Sequence, residues 1–308
     1  MNEMVNDDFY ELLEVWLQTF VVDHASPYTI VAYRNDVAVF LNYCNQLNLS
    51  IKDVAATDLR SYIAYCHERL GLTNKTIGRY LTSIRGFMKW LTRNGHLAAN
   101  TSIDIKVKKD GQQLPIILSP EQLNQLLDQP SPILESEIWL WKRDKSMMEI
   151  LYSSGLRASE LINLKLQDID YSSCLVRVIS GKGNKDRVVP IGSKAIEATK
   201  DWLSYRSMKT PDHNYLFINH LGGHLTVRQL RRRINTQALR AGLSEHLHPH
   251  LFRHCFATHM LTESQNIRAV QEMLGHADIS STEIYTKLDF ATLAKTYDNA
   301  HPRAKKIK

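Results

Sequence analysis

The sequence predicts a mainly α protein with a small β-sheet, arranged as an all-helical N-terminal bundle followed by an α+β domain. Two observations carry this prediction. Apolar residues recur at helical spacing through the first third of the chain, whereas short β-rich runs, CLVRVIS and RVVPI, occur close together in the second half. The length of 308 residues also exceeds that of a usual single domain, which favours two domains.

The N-terminal domain, predicted over residues 1–107, contains four helical patterns. The pair Ser26-Pro27 is a start signal for the second helix, because serine caps helices and proline suits their first turn. The third and fourth helices are predicted over residues 57–70 and 74–93, and Asn94-Gly95 ends the fourth. The first helix carries an apolar stripe at Phe9, Leu12, Leu13 and Trp16.

Basic residues concentrate in the fourth predicted helix, where Lys75, Arg79 and Arg85 lie off its apolar side. A cluster of this kind suits contact with DNA phosphates, so these three residues are candidate DNA-binding residues. Charged runs on helices are also common on ordinary solvated surfaces, and the pattern alone leaves that alternative open.

Residues 108–117 are predicted to be a linker, since they are polar and include Gly111 and Pro115. The second domain is predicted over 118–308. Within it, Gly155 interrupts a helical pattern and Arg157 falls in the first turn of the next helix. The helix dipole favours acidic groups at that position, so an arginine there suits an external anion. Pairing of Arg157 with Glu160 or Asp168 is the alternative.

The β-rich runs over residues 174–191 predict a hairpin that presents Lys182 and Lys185 at its tip, in the sequence GKGNKD. Two lysines on a hairpin can reach into a groove or toward a leaving oxygen, and a solubilising turn is the alternative. The spacing Gly-x4-Gly-Lys-Ser/Thr of a P-loop is missing, which argues against a nucleotide hydrolase.

An arginine-rich helix is predicted after Thr226, which is a capping residue. This density of guanidinium groups on one helix is typical of elements that contact phosphates or enter a major groove. The candidate DNA-binding residues on this helix are Arg228, Arg231 and Arg232.

Bulk composition agrees with a polyanionic partner. There are 38 Lys plus Arg against 32 Asp plus Glu, a net charge of +6. The four cysteines show no Cys-x-x-Cys spacing, so neither a zinc ribbon nor a disulfide framework is indicated, and a reducing cytoplasm is expected. The N-terminus lacks a signal-peptide pattern and no apolar run is long enough to span a bilayer, so no membrane contact is expected.

Residues 248–285 gather the remaining groups that can carry chemistry. His250 and Arg253 lie three apart on a predicted helix, His276 follows a glycine, and Tyr285 comes nine positions later. Although several histidines lie close together in this region, the HExxH motif is absent and Pro249 interrupts the run, so no metal or other cofactor is expected. The apolar side of the helix is predicted at Leu251, Phe252, Phe256 and Met260.

Phosphoryl transfer is the chemistry that uses these arginines. Two convergent guanidiniums can neutralise both non-bridging oxygens of a phosphodiester. Tyrosine, with an ordinary pKa of about 10, needs a base or a positive field to act as a nucleophile near neutral pH. Histidine can take that proton, and a lysine can return one to the leaving oxygen.

The motifs GLRASEL, GKGNKDRVVP, HPHLFRH, LGHAD and STEIY, in this order, resemble those of the tyrosine site-specific recombinases, and the C-terminal sequence resembles the bacterial Xer type. The resemblance covers nearly the whole chain. It implies that Tyr285 attacks the scissile phosphate, and that Arg157 and Arg253 hold the phosphate oxygens. It assigns Lys182 as the acid toward the leaving oxygen, His250 as the base toward the tyrosine and His276 as a phosphate-supporting group.

The resemblance also implies partners. The family acts as tetramers on two DNA duplexes, so we expect a double-stranded recombination site, a partner recombinase of the XerD type in a heterotetramer, and a septal DNA translocase. The expected role is to resolve chromosome dimers, with the apolar stripe at Phe290 to Tyr297 docking on a neighbouring subunit. The open alternatives are an integrase of a mobile element, a topoisomerase-like relaxing activity and, from another class, a non-cleaving DNA-binding protein.

Overall fold

Four helices build the first of the two units into which the chain divides, Met1–Leu114 and Pro115–Lys308. The computed structural model describes residues 6–23, 25–108, 117–179, 186–209, 211–243, 247–275 and 287–304, with side chains omitted for 287–292. Most of the predicted linker lies outside these ranges. The described helices of the first unit are α1 Asp7–Val22, α2 Pro27–Gln46, α3 Ala56–Glu68 and α4 Asn74–Arg93.

The bounds of α4 are those predicted from the sequence, and both ends have a local cause. Thr73 caps the start, since its side-chain oxygen accepts a hydrogen bond from the Thr76 amide. The chain leaves the helix through Gly95, whose φ of +78° suits glycine. Trp16 packs at the centre of this unit, with its ring centroid 5.4 Å from Phe87 and 5.7 Å from Tyr33.

The described part of the second unit combines helices that pack mainly on one another with a three-stranded antiparallel sheet of order β1-β2-β3. The predicted hairpin is confirmed as β2 Leu175–Val178 paired with β3 Arg187–Pro190, and the added strand β1 Ile169–Asp170 was not predicted. The helices are α5 Pro120–Leu127, α6 Glu135–Ser154, α7 Ala158–Asn163, α8 Ser193–Ser207, α9 Val227–Arg240, α10 Pro249–Ser264, α11 Ile267–Leu274 and α12 Lys287–Ala300.

Helix α6 ends at Ser154, and Gly155 directly after it lets α10 pack closely against the break. Gly155 has φ of +61°, and a Cβ there would lie 2.5 Å from Cδ1 of Phe256 on α10. A larger residue would be strained and would also clash, so the break between α6 and α7 depends on glycine. The predicted apolar side of α10 is confirmed, because its four residues, Leu251, Phe252, Phe256 and Met260, are all buried.

The C-terminal segment packs into its own unit. Of the predicted stripe, Leu293 and Tyr297 of α12 are buried in the same core as α10, whereas the side chain of Phe290 lies outside the described side chains. Docking of this stripe on a neighbouring subunit therefore stays a prediction that requires these side chains to leave their own core.

Three further findings concern membrane-spanning helices, cysteines and metal-binding groups. No helix among the described residues is long and apolar enough to cross a membrane. All four cysteines are free, and Cys44, Cys66 and Cys255 are buried. Within the described ranges, no three His, Cys, Asp or Glu side chains are grouped so that they could hold a metal ion.

Candidate active site

Arg157 stands directly before α7 and is fixed there by Glu160. Its backbone amide donates to Oε2 of Glu160 at 2.7 Å, and its guanidinium Nη1 donates to Oε1 at 2.9 Å. The side chain of Arg157 nevertheless stays 40% exposed. The pairing with Glu160 that the sequence left open thus exists, and it leaves the guanidinium accessible to an external anion.

Glu160 is shared with a second arginine. Arg187, the first residue of β3, donates from Nη1 and Nη2 to the two carboxylate oxygens, each at 2.9 Å. Burial opposes ionisation of this carboxyl, but the hydrogen bonds from Arg187 and Arg157 outweigh it and lower its pKa to about 2. Glu160 is therefore a permanent anion at neutral pH.

Arg253 approaches the same place from α10. It is buried, and it donates from Nη1 to the Gly155 carbonyl and from Nη2 to the Leu274 carbonyl, both at 2.7 Å. A guanidinium has five N–H groups, so these two bonds orient it and leave donors for a ligand. Burial, together with the positive charge of Arg157, lowers the pKa of Arg253 to about 10.

The balance of charge at this place is uneven. Among the described residues, Arg157 and Arg187 bind the carboxylate of Glu160 and Arg253 lies within reach of its charge, so three cations face one anion. We call these four residues the site cluster. A buried cationic excess is costly unless an anion balances it, and bidentate guanidinium contacts are well matched to phosphate oxygens. The site cluster can therefore stabilise the charge of a phosphodiester that is under attack.

His250 lies in the first turn of α10 and is exposed, whereas Arg253 one turn later is buried. His248, the residue directly before α10, caps the helix, because its Nδ1 accepts a hydrogen bond from the Leu251 amide. Burial lowers the pKa of His248, and the nearby positive charges of His250 and Arg231 lower it further. Arg231 of α9 therefore lies close to His248 and His250 at the start of α10.

Four predicted residues, Lys182, Lys185, His276 and Tyr285, lie outside the described residues. The ends of the elements that flank them are described. The hairpin strands end at Val178 and resume at Arg187, which bound both lysines, and α11 ends at Leu274, directly before Gly275 and His276. Tyr285 precedes the start of α12 by two residues.

The three predicted DNA-binding arginines of α9, Arg228, Arg231 and Arg232, have exposed side chains. The next arginine, Arg233, differs, because its Nε donates to the buried Asp144 at 2.7 Å. The helix therefore separates three arginines available to solvent from one that holds the fold.

In the first unit the predicted DNA-binding residues have unequal surroundings. Lys75 is exposed, and Arg79 is half-exposed while it donates to the buried Asp36 at 2.6 Å. Arg85 donates to the backbone carbonyls of Ser102 and Ile105 at 3.2 and 2.8 Å. Arg85 thus ties the end of this unit to α4, which gives it a structural role.

Two members of the site cluster were not predicted as site residues. The sequence indicates Glu160 only as a possible partner of Arg157, and it places Arg187 in a predicted strand. The only sequence signal for Arg187 was a charged residue at the start of an otherwise apolar run, RVVPI, which does not distinguish a surface position from a buried ion pair.

Comparison with known proteins identifies the family. Residues 117–292 match the phage integrase family, and residues 13–95 match the N-terminal SAM-like domain of phage integrases. The chain belongs to the phage integrase family. This tyrosine recombinase is similar to "Tyrosine recombinase XerC" of Pseudomonas syringae pv. tomato, with 44% identity over 282 residues, covering 91% of this chain and 92% of the relative.

The chain is also similar to "Tyrosine recombinase XerC" of Chromobacterium violaceum, with 42% identity and 96% of both chains covered. A solved structure of the XerH site-specific recombinase bound to palindromic difH substrate, a post-cleavage complex, matches the fold with a TM-score of 0.68. That match has 24% identity and covers 89% of this chain and 80% of the other. The recombinase is thus a Xer-type enzyme that cleaves and rejoins DNA at specific sites.

Proposed function

We propose that this recombinase resolves chromosome dimers, by cutting and rejoining a specific double-stranded site through a tyrosine-linked intermediate. The observation that carries the proposal is the cationic excess of the site cluster. Arg157 and Arg253 supply guanidiniums held at defined angles by Glu160, Gly155 and Leu274. An arrangement of this kind stabilises charge that develops on phosphate oxygens during attack, and is already oriented before the reaction starts.

Tyr285 is the proposed nucleophile. Its phenolic oxygen attacks the scissile phosphorus, forms a 3′-phosphotyrosyl bond and breaks the bond to the 5′-oxygen. His250 accepts the phenolic proton, Lys182 donates a proton to the leaving 5′-oxygen, and His276 supports the phosphate. Because the covalent intermediate conserves the energy of the phosphodiester bond, the reverse attack by a 5′-hydroxyl rejoins the strand without ATP.

DNA binding is proposed to use arginines and lysines that contact the phosphate backbone. Arg228, Arg231 and Arg232 support this, because α9 exposes all three and Arg231 lies near His248 at the start of α10. Lys185 is proposed to contact DNA from the hairpin. In the first unit, the exposed Lys75 and Arg79 are the stronger candidates. Arg85 has already committed two N–H groups to backbone carbonyls, so its contribution to DNA binding should be smaller.

The proposed assembly is a heterotetramer with a XerD-type partner recombinase on two DNA sites, activated by a septal DNA translocase and located in the cytoplasm, where the chromosome is. Support comes from curated relatives named XerC that match more than nine-tenths of the chain. Without the partner, we expect this recombinase to bind its site and to exchange no strands.

A suicide DNA substrate tests the proposed chemistry. The duplex carries a nick next to the scissile position of a Xer-type core site, so that the cut fragment diffuses away and the covalent complex accumulates. On a denaturing gel, wild-type protein should form the adduct and Tyr285→Phe should form none. An adduct with Tyr285→Phe would remove Tyr285 as the nucleophile. No adduct with wild type, even with the partner present, would favour a non-cleaving DNA-binding protein.

A further inference from the structure

Arg187 joins three elements through one buried side chain. Its Nε donates to the Met273 carbonyl at 3.1 Å, and its two terminal nitrogens donate to Glu160. The side chain is only 6% exposed, so it is well shielded from solvent. Arg187 therefore connects β3, on which it lies, with α7 through Glu160 and with the C-terminal end of α11.

The end of α11 is shaped to receive this side chain. Gly275 has φ of +66°, and a Cβ at this position would lie 2.9 Å from Cδ of Arg187. Arg187 holds the Met273 carbonyl, and Arg253 holds the next carbonyl, that of Leu274. Two arginines thus fix consecutive carbonyls of the last helical turn, directly before the chain reaches His276.

We propose that Arg187 is a positioning residue for DNA cleavage, which orients Arg157 by holding Glu160, while the bond to the Met273 carbonyl fixes the Arg187 side chain itself. This inference rests on the proposed function. Arg187 is too buried to contact DNA, so it acts through the residues that it holds. The effect requires the planar fork of arginine, since it places two parallel N–H groups on Glu160 and a third on Met273.

A lysine at position 187 would keep the charge and lose this geometry. A single ammonium group cannot make the paired contact with both carboxylate oxygens and also reach the Met273 carbonyl. Glu160 would then be held mainly by Arg157 and could turn with it. Arg157 would still carry its charge at the site, but its guanidinium would no longer be held in one orientation. DNA binding should therefore persist while cleavage slows.

A double-mutant cycle on the suicide substrate tests this role. Arg187→Lys alone should slow formation of the covalent adduct at saturating DNA by about 10- to 100-fold, since small misplacements of catalytic groups cost this much. The dissociation constant for uncleaved DNA should stay that of wild type. In an Arg157→Ala background the same change should slow cleavage by less than about threefold, because the residue that it aims is gone.

Arg177→Lys is the matched control. Arg177 lies on β2, the neighbouring strand, and its side chain is 53% exposed, so the same substitution there should leave cleavage unchanged. Circular dichroism and thermal melting establish that each variant folds. If Arg187→Lys does not fold, Glu160→Gln takes its place in the cycle, because it weakens the same contacts from the other side and should show the same loss of additivity.

Three results would overturn the inference. Arg187→Lys could cleave like wild type, could slow cleavage by the same factor with and without Arg157, or could lose binding and cleavage in equal proportion. In each case the wild-type adduct still forms, so the proposed function stands. Absence of the wild-type adduct would instead count against the proposed function.

Discussion

Two buried ion-pair clusters in the second unit use the same residue types and differ in their balance of charge. The site cluster places three arginines around one carboxylate, Glu160. The other cluster, which we call the tail cluster, places Arg303 between Glu149 and Asp128, with Asn124 as a further acceptor. Among direct hydrogen-bond partners, the first has more cations than anions and the second has more anions than cations.

This difference separates a binding site from an anchor. In the tail cluster, Arg303 is buried and all three of its guanidinium nitrogens donate to side-chain oxygens of the same chain. In the site cluster, Arg157 is 40% exposed and Arg253 makes, within the part of the chain that the structure describes, two bonds to backbone carbonyls. The arginines of the site cluster therefore retain positive charge for an external anion, whereas the charge of Arg303 is balanced by its own carboxylates.

Of the two clusters, disruption of the tail cluster should lower the free energy of unfolding the most. Arg303→Met should destabilise the second unit by about 3 to 5 kcal/mol, because it leaves the buried Glu149 without its cation. Urea unfolding measures this change. The control is Lys142→Met, which removes a more exposed pair with Asp201 on the same unit and should cost about 0 to 1 kcal/mol.

A second variant sharpens the interpretation of that loss. Replacing both Arg303 and Glu149 by methionine removes the unpaired charge, so the double variant should be less destabilised than Arg303→Met alone. If the two losses simply add, the charge of Glu149 is not the reason, and Arg303 would stabilise the unit through packing.

The site cluster should respond in activity more than in stability. Arg157→Ala and Arg253→Ala should each slow cleavage by about 100- to 1,000-fold, while DNA binding changes far less. Arg253→Ala should in addition lower stability, because the Gly155 and Leu274 carbonyls lose their buried donor. Filter binding, adduct formation and urea unfolding on the same samples test this; equal losses in binding and cleavage would contradict the assigned roles.

The two clusters should also lose stability in different pH ranges. His301, beside Arg303, is buried, and burial lowers its pKa from 6.5 to about 3. Below about pH 6.5 the imidazole of His301 is protonated in the unfolded chain but stays neutral in the folded chain. The free energy of unfolding therefore falls by up to about 1.4 kcal/mol per pH unit as the pH drops below that value. The pKa of Glu160 is lowered from 4.5 to about 2, so the stability that its charge contributes is lost only as the pH falls from about 4.5 to about 2.

His301→Gln tests the first of these ranges. The imidazole donates from Nε2 to the Tyr152 carbonyl and accepts the Arg303 amide at Nδ1, and glutamine can offer similar groups without titrating. Urea unfolding between about pH 7 and about pH 5 should show a smaller decline in stability for the variant than for wild type. Parallel declines would mean that His301 is not responsible, and that the remaining histidines, such as His259, carry the effect.

The smallest effect is expected on the salt dependence of DNA binding. Replacing exposed Arg231 by alanine should reduce the slope of log K against log salt concentration by about 1, which is the release of one counterion. Arg233→Ala is the informative contrast, because Arg233 is bound to Asp144 and its loss should lower stability. If the two variants change the salt slope equally, the division of α9 into free and structural arginines is wrong.

Local signals in the sequence were enough to predict much of the fold. The start signals at Ser26-Pro27 and Thr226 and the break at Gly155 depend on neighbouring residues only, so the helix ends that they mark were predicted closely. The strand β1 was missed, because two residues carry no periodicity of their own and are defined only by pairing with β2.

The candidate site was less accessible for the same physical reason. Arg157 could be proposed from its place at a helix start, but Arg187, which also binds Glu160, and the neighbouring Arg253 come from distant elements. Arg79 and Arg85 show the converse, since residues proposed to contact DNA also hold acceptors 43 and 20 positions away. Sequence shows which side chains carry charge, and only the fold shows which charges are already paired.

The most direct test compares cleavage of a normal suicide substrate with one that carries a neutral methylphosphonate at the scissile position. If the unbalanced charge of the site cluster serves to neutralise the phosphate, removing that phosphate's charge should remove part of the need for Arg157. The ratio of wild-type to Arg157→Ala cleavage rates should therefore fall by about tenfold or more on the neutral substrate. An unchanged ratio would contradict the assignment of Arg157 to phosphate charge.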